Sequence, residues 1–471
     1  MLEPLIIDAT ALPRPTRRDV AARLSMALRS ASRHLVDARR AGSLDEMAIA
    51  GAIRRTFDDL GGTFTKFGQL IASSSSIFGE DVSHEFRGCL DSGPAVPFYD
   101  VRAVVEADLK RPLHELYTSF EPEPLAAASL AVVHRATLVD GTPVAVKVLR
   151  PDVARRIATD LAVLRPLCRF VARQVAVGIA GTLSGLVSGL EVQVAEEVDF
   201  TNEVRSLHWF RVALEQIGVD RLVVPAVFDE LCGPHVITME LLDGVPVDDA
   251  DAIAALGIDP TPLLQECLRV WFATTLCAGA FHGDIHAGNL LVRANNTLAV
   301  LDWGIVGRLD EATARFFRRM IEGVLGDDDA WSDVAEHVKA TYGAGMLDAL
   351  GIDDGQFVAF VRSQIEPLFL LPFGEVDLRT MLIGDGAADG KRAGQRTRTE
   401  SVRNWWSERK RQQALMDLDG YGSGFDQATF LLSKQLVYFE RYGKQFLPDS
   451  PLLDDPAAFR ALLDAPQLMT R

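Results

Sequence analysis

One stretch, His282–Gly304, limits what this chain can fold into more than any other part of it. It reads HGDIHAGNLLVRANNTLAVLDWG. Asn289 follows Asp284 by five positions, and Asp302 comes after two short apolar segments separated by a turn. This spacing is typical of phosphotransferase sites, in which one carboxylate positions or deprotonates the attacking hydroxyl while an amide and a second carboxylate hold magnesium. The stretch therefore predicts phosphate chemistry; an acidic turn between two buried strands is the alternative.

Length and composition predict an ordinary globular protein of two or three lobes. The chain has 471 residues, of which 48% are hydrophobic, enough for proper cores without disulfides. Its five cysteines include no CxxC pair and are predicted to be reduced core residues. The formal net charge of −17 argues against nucleic acid as a partner, because phosphate contacts need positive surface.

Two segments bear on the location of the protein. The opening residues, MLEPLIIDAT, lack a basic region followed by an apolar run, which predicts no signal peptide and a cytoplasmic location. Residues 174–190 are uncharged, contain four glycines and are flanked by Arg173 and Glu191. A helix pair that turns near Gly181 is predicted here, with membrane insertion as the alternative.

Positive charge is concentrated in two segments despite the acidic total. Residues 12–42 contain eight arginines against two aspartates, and residues 391–411 contain eight basic residues against two glutamates. Either segment suits anionic lipid or a phosphate-rich ligand. A solvated helix face and a loop, respectively, are the alternatives. Residues 384–398 have no apolar period and are predicted to be disordered.

The amino-terminal region has helical periodicity from residue 16 to residue 60. Gly61-Gly62 interrupts the pattern, and a further helix is predicted from Thr63. Lys66 and Gln69 are three positions apart and therefore share one face of that helix. From these residues alone, an exposed polar face is the favoured interpretation.

A small sheet is predicted next, with a strand over 131–139, a hairpin turn at Asp140-Gly141 and a returning strand over 143–149. Lys147 lies in the middle of the returning strand among apolar neighbours. A lysine there needs a carboxylate or phosphate partner, or an edge where it reaches water. Just upstream, residues 125–130 read LAAASL; because alanine resists positive φ, this turn should be stiffer than a glycine-rich phosphate loop.

Helices are predicted over 153–174 and 183–217, and the second carries Glu196, Glu197, Asp199 and Glu203. Four like charges in two turns are unfavourable unless nearby cations neutralise them. We expect Lys147 to pair with Glu203, and Lys66 with Glu197 or Asp199; an exposed acidic face is the alternative. Strands near 222–224 and 235–239, a connection at 240–244 and a mostly helical region, ending with a helix over 425–442 and a proline-rich tail, complete the prediction.

Five motifs occur in one order: KFGQ (66–69), LAAASLAVVHRA (125–136), VAVKVLRP (144–151), EVDFTNE (197–203), and HGDIHAGN with LDWG (282–304). As a set they resemble the UbiB (AarF-type) family of atypical protein-kinase-like proteins, over roughly residues 55–310. The resemblance implies an α+β, two-lobed protein-kinase-like fold. It implies a helical extension over 1–115, a first lobe with inserted helices over 116–243, and a helical second lobe over 244–471.

The resemblance also implies roles for individual residues. Those implied to act in catalysis are Asp284, Lys147 and Glu203. Those implied to bind nucleotide are Lys66, Gln69, Ala126, Ala127, Ala128, Ser129, Lys147, Glu197, Asp199, Glu240 and Leu241. Asn289 and Asp302 are implied magnesium ligands. ATP or ADP with Mg²⁺ is therefore the expected ligand set, and the K-x-G-Q helix is expected to lie across the side where other kinases admit a protein substrate.

Family members are linked to isoprenoid-quinone and other lipid metabolism and associate with membranes. The resemblance therefore implies an anionic lipid or a lipid or quinone precursor as partner, and a peripheral position at the inner face of the plasma membrane. The chain departs from the family pattern at Val132, where the family has glutamine, at Ala287, where it has proline, and at Trp303, where it has phenylalanine.

Two other functions fit part of the same pattern. HGDIHAGN and DWG also resemble small-molecule phosphotransferases of the aminoglycoside- and choline-kinase type, which lack the KFGQ and EVD elements. A non-catalytic scaffold that senses nucleotide and handles lipid is the third hypothesis. An atypical kinase or ATPase is favoured because Lys147, Glu203, Asp284, Asn289 and Asp302 are all present in order.

Overall fold

The computed structural model describes residues 3–42, 45–72, 80–86, 88–89, 95–172, 177–342, 352–376 and 427–464. The chain is α+β and has the two lobes of a protein-kinase-like fold, as predicted. Its helices are α1 (Arg17–Arg40), α2 (Glu46–Leu60), α3 (Thr63–Ala72), α4 (Glu80–Phe86), α5 (Phe98–Leu109), α6 (Leu113–Leu116), α7 (Val153–Ala172), α8 (Val177–Glu197), α9 (Phe200–Ile217), α10 (Ala250–Leu256), α11 (Thr261–Ala278), α12 (Glu311–Val324), α13 (Ala330–Tyr342), α14 (Asp354–Leu370), α15 (Gln427–Phe446) and α16 (Pro456–Asp464). Its strands are β1 (Tyr117–Ala127), β2 (Ala131–Leu138), β3 (Pro143–Leu149), β4 (Leu222–Val223), β5 (Val236–Glu240), β6 (Val245–Pro246), β7 (Ala280–His282), β8 (Leu290–Arg293), β9 (Thr297–Val300) and β10 (Val306–Arg308).

The first lobe is built on an antiparallel sheet in the order β1-β2-β3-β5. The predicted hairpin joins β2 to β3, and Gly141 in its turn has φ +91°, which glycine adopts without strain. β1 is an edge strand that the sequence does not predict. It contains Pro122 and Pro124, and prolines are tolerated at an edge because no neighbouring strand needs their missing N–H.

The inserted helices differ from the prediction in two places. α8 runs through Gly181 without a turn, so the predicted turn there is wrong; one interior glycine costs a helix only about 1 kcal/mol. The single helix predicted over 183–217 is two helices, broken at Val198 and Asp199. Asp199 caps α9, its side chain accepting from Thr201 N at 3.0 Å, and a capping aspartate is a favoured helix start.

The helices of the extension pack on the first lobe through a buried ion pair. Arg23 of α1 donates to Asp160 of α7 at 2.6 Å and to the carbonyl of Leu60 at 2.8 Å. Gly61 and Gly62 both have positive φ and turn the chain from α2 into α3. α3 is almost wholly buried, so the exposed polar face favoured from the residues alone is wrong.

The chain before α1 lies along α8 and α9. Trp209 Nε1 donates to the carbonyl of Glu3 at 2.9 Å, Asp8 N donates to Asn202 Oδ1 at 3.1 Å, and Asn202 Nδ2 donates back to the Asp8 carbonyl at 2.8 Å. Thr10 Oγ1 donates to Asp199 Oδ2 at 3.2 Å. These hydrogen bonds therefore stabilise the chain at the break between α8 and α9.

The second lobe is organised around α11, whose Trp271 is 2% exposed. The Trp271 ring packs edge-on against Phe281 and Phe439, and its Nε1 donates to the carbonyl of His282 at 3.1 Å. The loop 283–289 is thereby fixed to the core. A further helix, α16, follows α15 in the region predicted as a proline-rich tail. Pro456 is compatible with this helix because it stands at the first position, where a missing N–H costs nothing.

Some predictions fall outside the described residues, among them the disorder predicted for 384–398 and the ligand binding predicted for the basic segment 391–411. Across the ranges that the structure describes, no helix is both long and apolar enough to span a bilayer. The division of the chain at residues 115 and 243 stays a prediction.

Candidate active site

A cavity of about 290 Å³ lies between the first sheet, the α8–α9 break and the loops of the second lobe. It brings together most of the residues that the sequence predicts for the site. The predicted residues that line it are Lys66, Ala126, Ala127, Ala128, Ser129, Lys147, Glu197, Asp199, Glu203, Asp284, Asn289 and Asp302. Gln69 lines a neighbouring cavity instead.

Lys147 forms the predicted ion pair with Glu203. Its Nζ donates to the two Glu203 oxygens at 2.7 and 2.8 Å and to Asp302 Oδ1 at 3.2 Å. Burial opposes the charge of Lys147, but the carboxylates of Asp302 and Glu203 outweigh it and raise the pKa of the ammonium group. Burial raises the pKa of the Glu203 carboxyl to about 7, so its ionised form depends on Lys147.

His282 ties the two acidic segments of the second lobe together. Asp284 N donates to His282 Nδ1 at 3.0 Å, which leaves the proton on Nε2, and Nε2 donates to the carbonyl of Asp302 at 2.6 Å. Burial lowers the pKa of His282 to about 4, so the ring is neutral at physiological pH. A neutral ring with both nitrogens bonded holds Asp284 and Asp302 at a fixed separation.

Asp302 and Asn289 offer the oxygen donors that magnesium prefers. Burial opposes ionisation of Asp302, but Lys147 and the N–H of Gly304, which donates to Oδ1 at 3.0 Å, hold the pKa of this carboxyl well below its usual range. Asn289 Nδ2 donates to the carbonyl of Asp284 at 3.1 Å, so its amide oxygen is left as the coordinating atom. A carboxylate and an amide oxygen that line one cavity are suited to hold a magnesium ion, which would neutralise charge on bound phosphates.

The alanine-rich loop forms one wall of the cavity. Ala126 and Ala127 belong to the end of β1, and Ala128 N donates to the carbonyl of Ala131 at 2.9 Å across the turn. Arg150, which sequence reasoning missed, donates through Nε to the carbonyl of Ala128 at 2.9 Å. The loop is thereby held to the residue that follows β3. Its greater stiffness relative to a glycine-rich loop stays a prediction.

The K-x-G-Q helix reaches the cavity through Lys66. Lys66 Nζ donates to Glu197 Oε2 at 2.8 Å and Oε1 at 3.1 Å, which is one of the two predicted pairings, and Gln193 donates to the same carboxylate at 2.9 Å. The lysine side chain is only 10% exposed. Both halves of the pair therefore lie at the wall of the cavity.

Glu240 and Leu241 lie apart from this cavity, at the end of β5 and in the connection that follows. Glu240 N donates to the carbonyl of Ala226 at 2.7 Å, and its side chain accepts from Ala226 N at 3.3 Å. Their assignment to the adenine end of a nucleotide stays a prediction.

α15 contributes contacts to the 283–289 loop that sequence reasoning missed. Lys434 Nζ donates to Asp284 Oδ1, Gln435 Oε1 accepts from Ile285 N at 3.2 Å, and Tyr442 Oη accepts from Ala287 N at 2.9 Å. Burial opposes ionisation of Asp284, yet Lys434 and His286 outweigh it and lower the pKa of the carboxyl. The available signal was the spacing of eight between Lys434 and Tyr442, which puts them on one helix face.

A family model described as the ABC1 atypical kinase-like domain matches residues 89–337 of this chain. The chain belongs to the UbiB/AarF family. An uncharacterized aarF domain-containing chloroplastic protein kinase of Arabidopsis thaliana is 31% identical over 409 residues, which cover 86% of this chain and 73% of the relative. A probable protein kinase UbiB of Aeromonas salmonicida is 27% identical over 413 residues, 86% of this chain and 69% of the relative. A Mycobacterium tuberculosis protein solved with erythromycin has a TM-score of 0.41 and 20% identity, covering 70% of this chain and 85% of that structure.

The three departures from the UbiB/AarF pattern each have a structural context. Val132 is 2% exposed, so a glutamine there would be buried in the first lobe. Trp303 donates to the carbonyl of Val300 at 2.9 Å and packs on the Phe210 ring at 4.3 Å. Ala287 supplies the N–H that Tyr442 accepts, which proline lacks.

Proposed function

We propose that this UbiB/AarF protein binds ATP with Mg²⁺ and is an atypical kinase or ATPase that acts in, or regulates, isoprenoid-quinone or other lipid metabolism at a membrane surface. The observation that carries the proposal is the meeting of five polar groups at one cavity. They are Lys147, Glu203, Asp284, Asn289 and Asp302. Each has a counterpart in phosphoryl-transfer chemistry, where positioning and charge stabilisation supply most of the catalysis.

In the proposed mechanism, Lys147 contacts the phosphates and Glu203 orients the ammonium group. Asn289 and Asp302 would hold magnesium, which when bound neutralises charge on the phosphate oxygens. Asp284 accepts a hydrogen bond from the attacking hydroxyl or water and takes its proton. Lys434, beside Asp284, keeps that carboxylate ionised and adds positive charge near the transferred group.

The lipid part of the proposal rests on the outer face of α1 and α2. Leu24, Leu28 and Leu35 share one face of α1 and are 45%, 59% and 37% exposed. Ile49 and Ile53 of α2 are 40% and 41% exposed. α1 also exposes six arginines, namely Arg17, Arg18, Arg29, Arg33, Arg39 and Arg40. A helix that exposes both an apolar stripe and several arginines is suited to peripheral binding to anionic lipid.

Magnesium-dependent ATP consumption tests the proposal. We expect turnover by the unmodified protein, stimulation by phosphatidylglycerol vesicles, and loss of at least about 100-fold in Asp302→Asn and Asp284→Asn. Asp251→Asn, which changes an exposed carboxylate of α10, is the matched control and should leave the rate unchanged. Turnover that persists in both site variants would rule out this mechanism.

Lys66 separates the proposed function from a small-molecule phosphotransferase of the aminoglycoside-kinase type. The Lys66–Glu197 pair at the cavity wall favours the atypical kinase, because those enzymes lack both motifs. We expect Lys66→Ala to change nucleotide affinity or turnover. An unchanged nucleotide selectivity and rate would favour the small-molecule enzyme, and tight nucleotide binding without any turnover would favour a scaffold.

Vesicle binding tests the membrane part separately. Leu24→Glu/Leu28→Glu is expected to abolish co-sedimentation with phosphatidylglycerol vesicles, whereas Leu370→Glu, at a residue of the second lobe that is 46% exposed, should not affect it. Equal binding by all three proteins would exclude the α1 face.

A further inference from the structure

A second cavity, of about 330 Å³, is lined by Asp284 but by neither Lys147 nor Asp302. Most of its described lining residues belong to α3, α8, α15 and the 283–289 loop. Asp284, His286, Lys66 and Ile305 line both cavities, so the two spaces meet at the carboxylate assigned to the attacking group. Its size is at the lower end of the range for small-molecule sites.

Cationic and hydroxyl groups dominate the part of this cavity that α15 supplies. Lys434, Tyr438, Arg441 and Tyr442 lie on one face of the helix and line the space together. Asp284, the only carboxylate among the described lining residues, pairs with Lys434, and Lys66 pairs with Glu197. Arg441 therefore adds a positive charge that no lining carboxylate balances. An excess of positive charge in a concave site selects an anionic ligand.

Two of these groups have capacity left for a ligand. Among the described residues, no carboxylate pairs with Arg441, whose guanidinium lies 5.8 Å from the Tyr442 ring centre, and no atom forms a hydrogen bond with the Tyr438 hydroxyl. Arg441 is exposed, whereas Tyr438 is partly buried. A guanidinium at the rim and a hydroxyl deeper inside are suited to bind the charged and polar parts of one molecule.

We infer that this cavity binds the phosphoryl acceptor, and that the acceptor is an alcohol carrying a phosphate group, of the glycerol phosphate type. The inference rests on the proposed function. Arg441 and Lys434 hold the anion, Tyr438 bonds to a hydroxyl, and a second hydroxyl lies beside Asp284. Its oxygen forms a bond to the γ-phosphorus as the bond from that phosphorus to the β,γ-bridging oxygen breaks; ADP leaves and Asp284 takes the hydroxyl proton. Anion binding to Lys434 also frees the Asp284 oxygen that Lys434 now occupies.

The same chemical group reaches a protein either free or as a lipid headgroup, and the experiment separates the two sources. Binding of sn-glycerol 3-phosphate is measured by calorimetry, and ADP release is measured with that compound, with phosphatidylglycerol vesicles and with phosphatidylcholine vesicles. Binding or stimulation by free glycerol phosphate assigns a soluble acceptor. If phosphatidylglycerol vesicles stimulate ADP release, and Arg441→Gln abolishes this stimulation while still sedimenting with the vesicles, the acceptor is the lipid headgroup.

Arg441→Gln is expected to weaken binding or raise the half-maximal concentration by at least about 10-fold, the effect of one lost charged contact. Tyr438→Phe should do so by about 3-fold. Lys444→Gln is the matched control, since Lys444 is exposed on the same helix and pairs with Glu440 outside the cavity. Circular dichroism and thermal melting verify that each variant folds.

The inference is overturned if neither source binds or stimulates, or if Lys444→Gln weakens the effect as much as Arg441→Gln does. Failure of the proposed function has a different result, because then the unmodified protein would not consume ATP under any condition. If the protein consumes ATP but neither form of glycerol phosphate binds or stimulates it, the proposed function stands and the acceptor inference is rejected.

Discussion

At the scale of single residues, the buried pair Lys147–Glu203 is the feature of the site that should be most sensitive to substitution. The two side chains are 11% and 4% exposed, and burial raises the pKa of Glu203, so the pair persists only while both members are present. We predict that Glu203→Gln destabilises the fold by about 3 kcal/mol, the low end for breaking a buried pair, because Asp302 still faces Lys147. Urea unfolding measures the loss.

The exposed pair Arg315–Glu311 on α12 is the control for this prediction. Its side chains are 72% and 90% exposed, so Glu311→Gln should cost less than about 0.5 kcal/mol. Glu203→Gln should also weaken nucleotide binding, because Lys147 then turns toward Asp302. Equal stability of the two variants would show that Lys147 does not depend on Glu203.

His134 gives the first lobe a pH-dependent stability. The residue is 1% exposed, its Nδ1 donates to the carbonyl of Glu121 at 2.8 Å, and its buried Nε2 has no partner among the described residues. Burial lowers the pKa of His134 below its ordinary value of 6.5. Since the unfolded chain then binds more protons than the folded one, stability is fully present above pH 6.5 and falls as the pH drops through 6.5 toward the lowered pKa.

We predict a smaller loss of stability between pH 7 and pH 5 in His134→Gln than in the unmodified protein, because the amide keeps a donor for Glu121 and does not titrate. Urea unfolding at the two pH values measures the difference. His114→Gln, at an exposed histidine of α6, is the control and should leave the loss unchanged. A pH dependence that is identical in all three proteins would exclude His134 as its source.

At the scale of elements, Gly68 explains why the K-x-G-Q helix needs a glycine. A Cβ at Gly68 would lie 2.6 Å from Cys89 Sγ and 3.3 Å from the Phe57 and Phe86 rings. We predict that Gly68→Ala destabilises the protein by about 1–3 kcal/mol through overpacking and displaces Lys66. Cys89→Ala in the same chain should restore part of the loss in thermal melting. No rescue would locate the strain at the two phenylalanine rings.

The elements show what the sequence can and cannot predict. The hairpin of β2 and β3 is predictable, because turn chemistry and alternation are local rules. The Lys147 and Lys66 pairings are predictable for another reason: a buried lysine needs a carboxylate, and the acidic cluster at 196–203 offers candidates although they lie 56 and 131 positions away. β1 is not, since its prolines disfavour a strand everywhere except at an edge, and edge position is a property of the whole sheet. Likewise, Lys434 lies 150 positions from Asp284, and only the packing of α15 brings them together.

At the scale of the whole molecule, parts from both ends of the chain form one wall of the site. α3 supplies Lys66, α15 supplies Lys434, and both line the second cavity beside Asp284. We expect this wall to occupy the side on which other kinases admit a protein substrate. The phosphotransfer motifs alone predict a kinase; this wall instead favours a small acceptor.

Arg23 connects the face proposed to bind lipid with this wall. It lies on the inner side of α1, donates to Asp160 and Leu60, and its guanidinium carbon lies 5.4 Å from the ring centre of Phe64, two residues before Lys66. We therefore expect a shift of α1 on a membrane to displace α3 as well. We predict that Arg23→Met/Asp160→Asn, which removes both charges so that neither is left buried alone, still binds phosphatidylglycerol vesicles but loses most of their stimulation of ATP consumption. The double change Arg315→Gln/Glu311→Gln at an exposed pair of the second lobe should preserve both properties. Full stimulation in Arg23→Met/Asp160→Asn would mean that lipid acts on the site by another route.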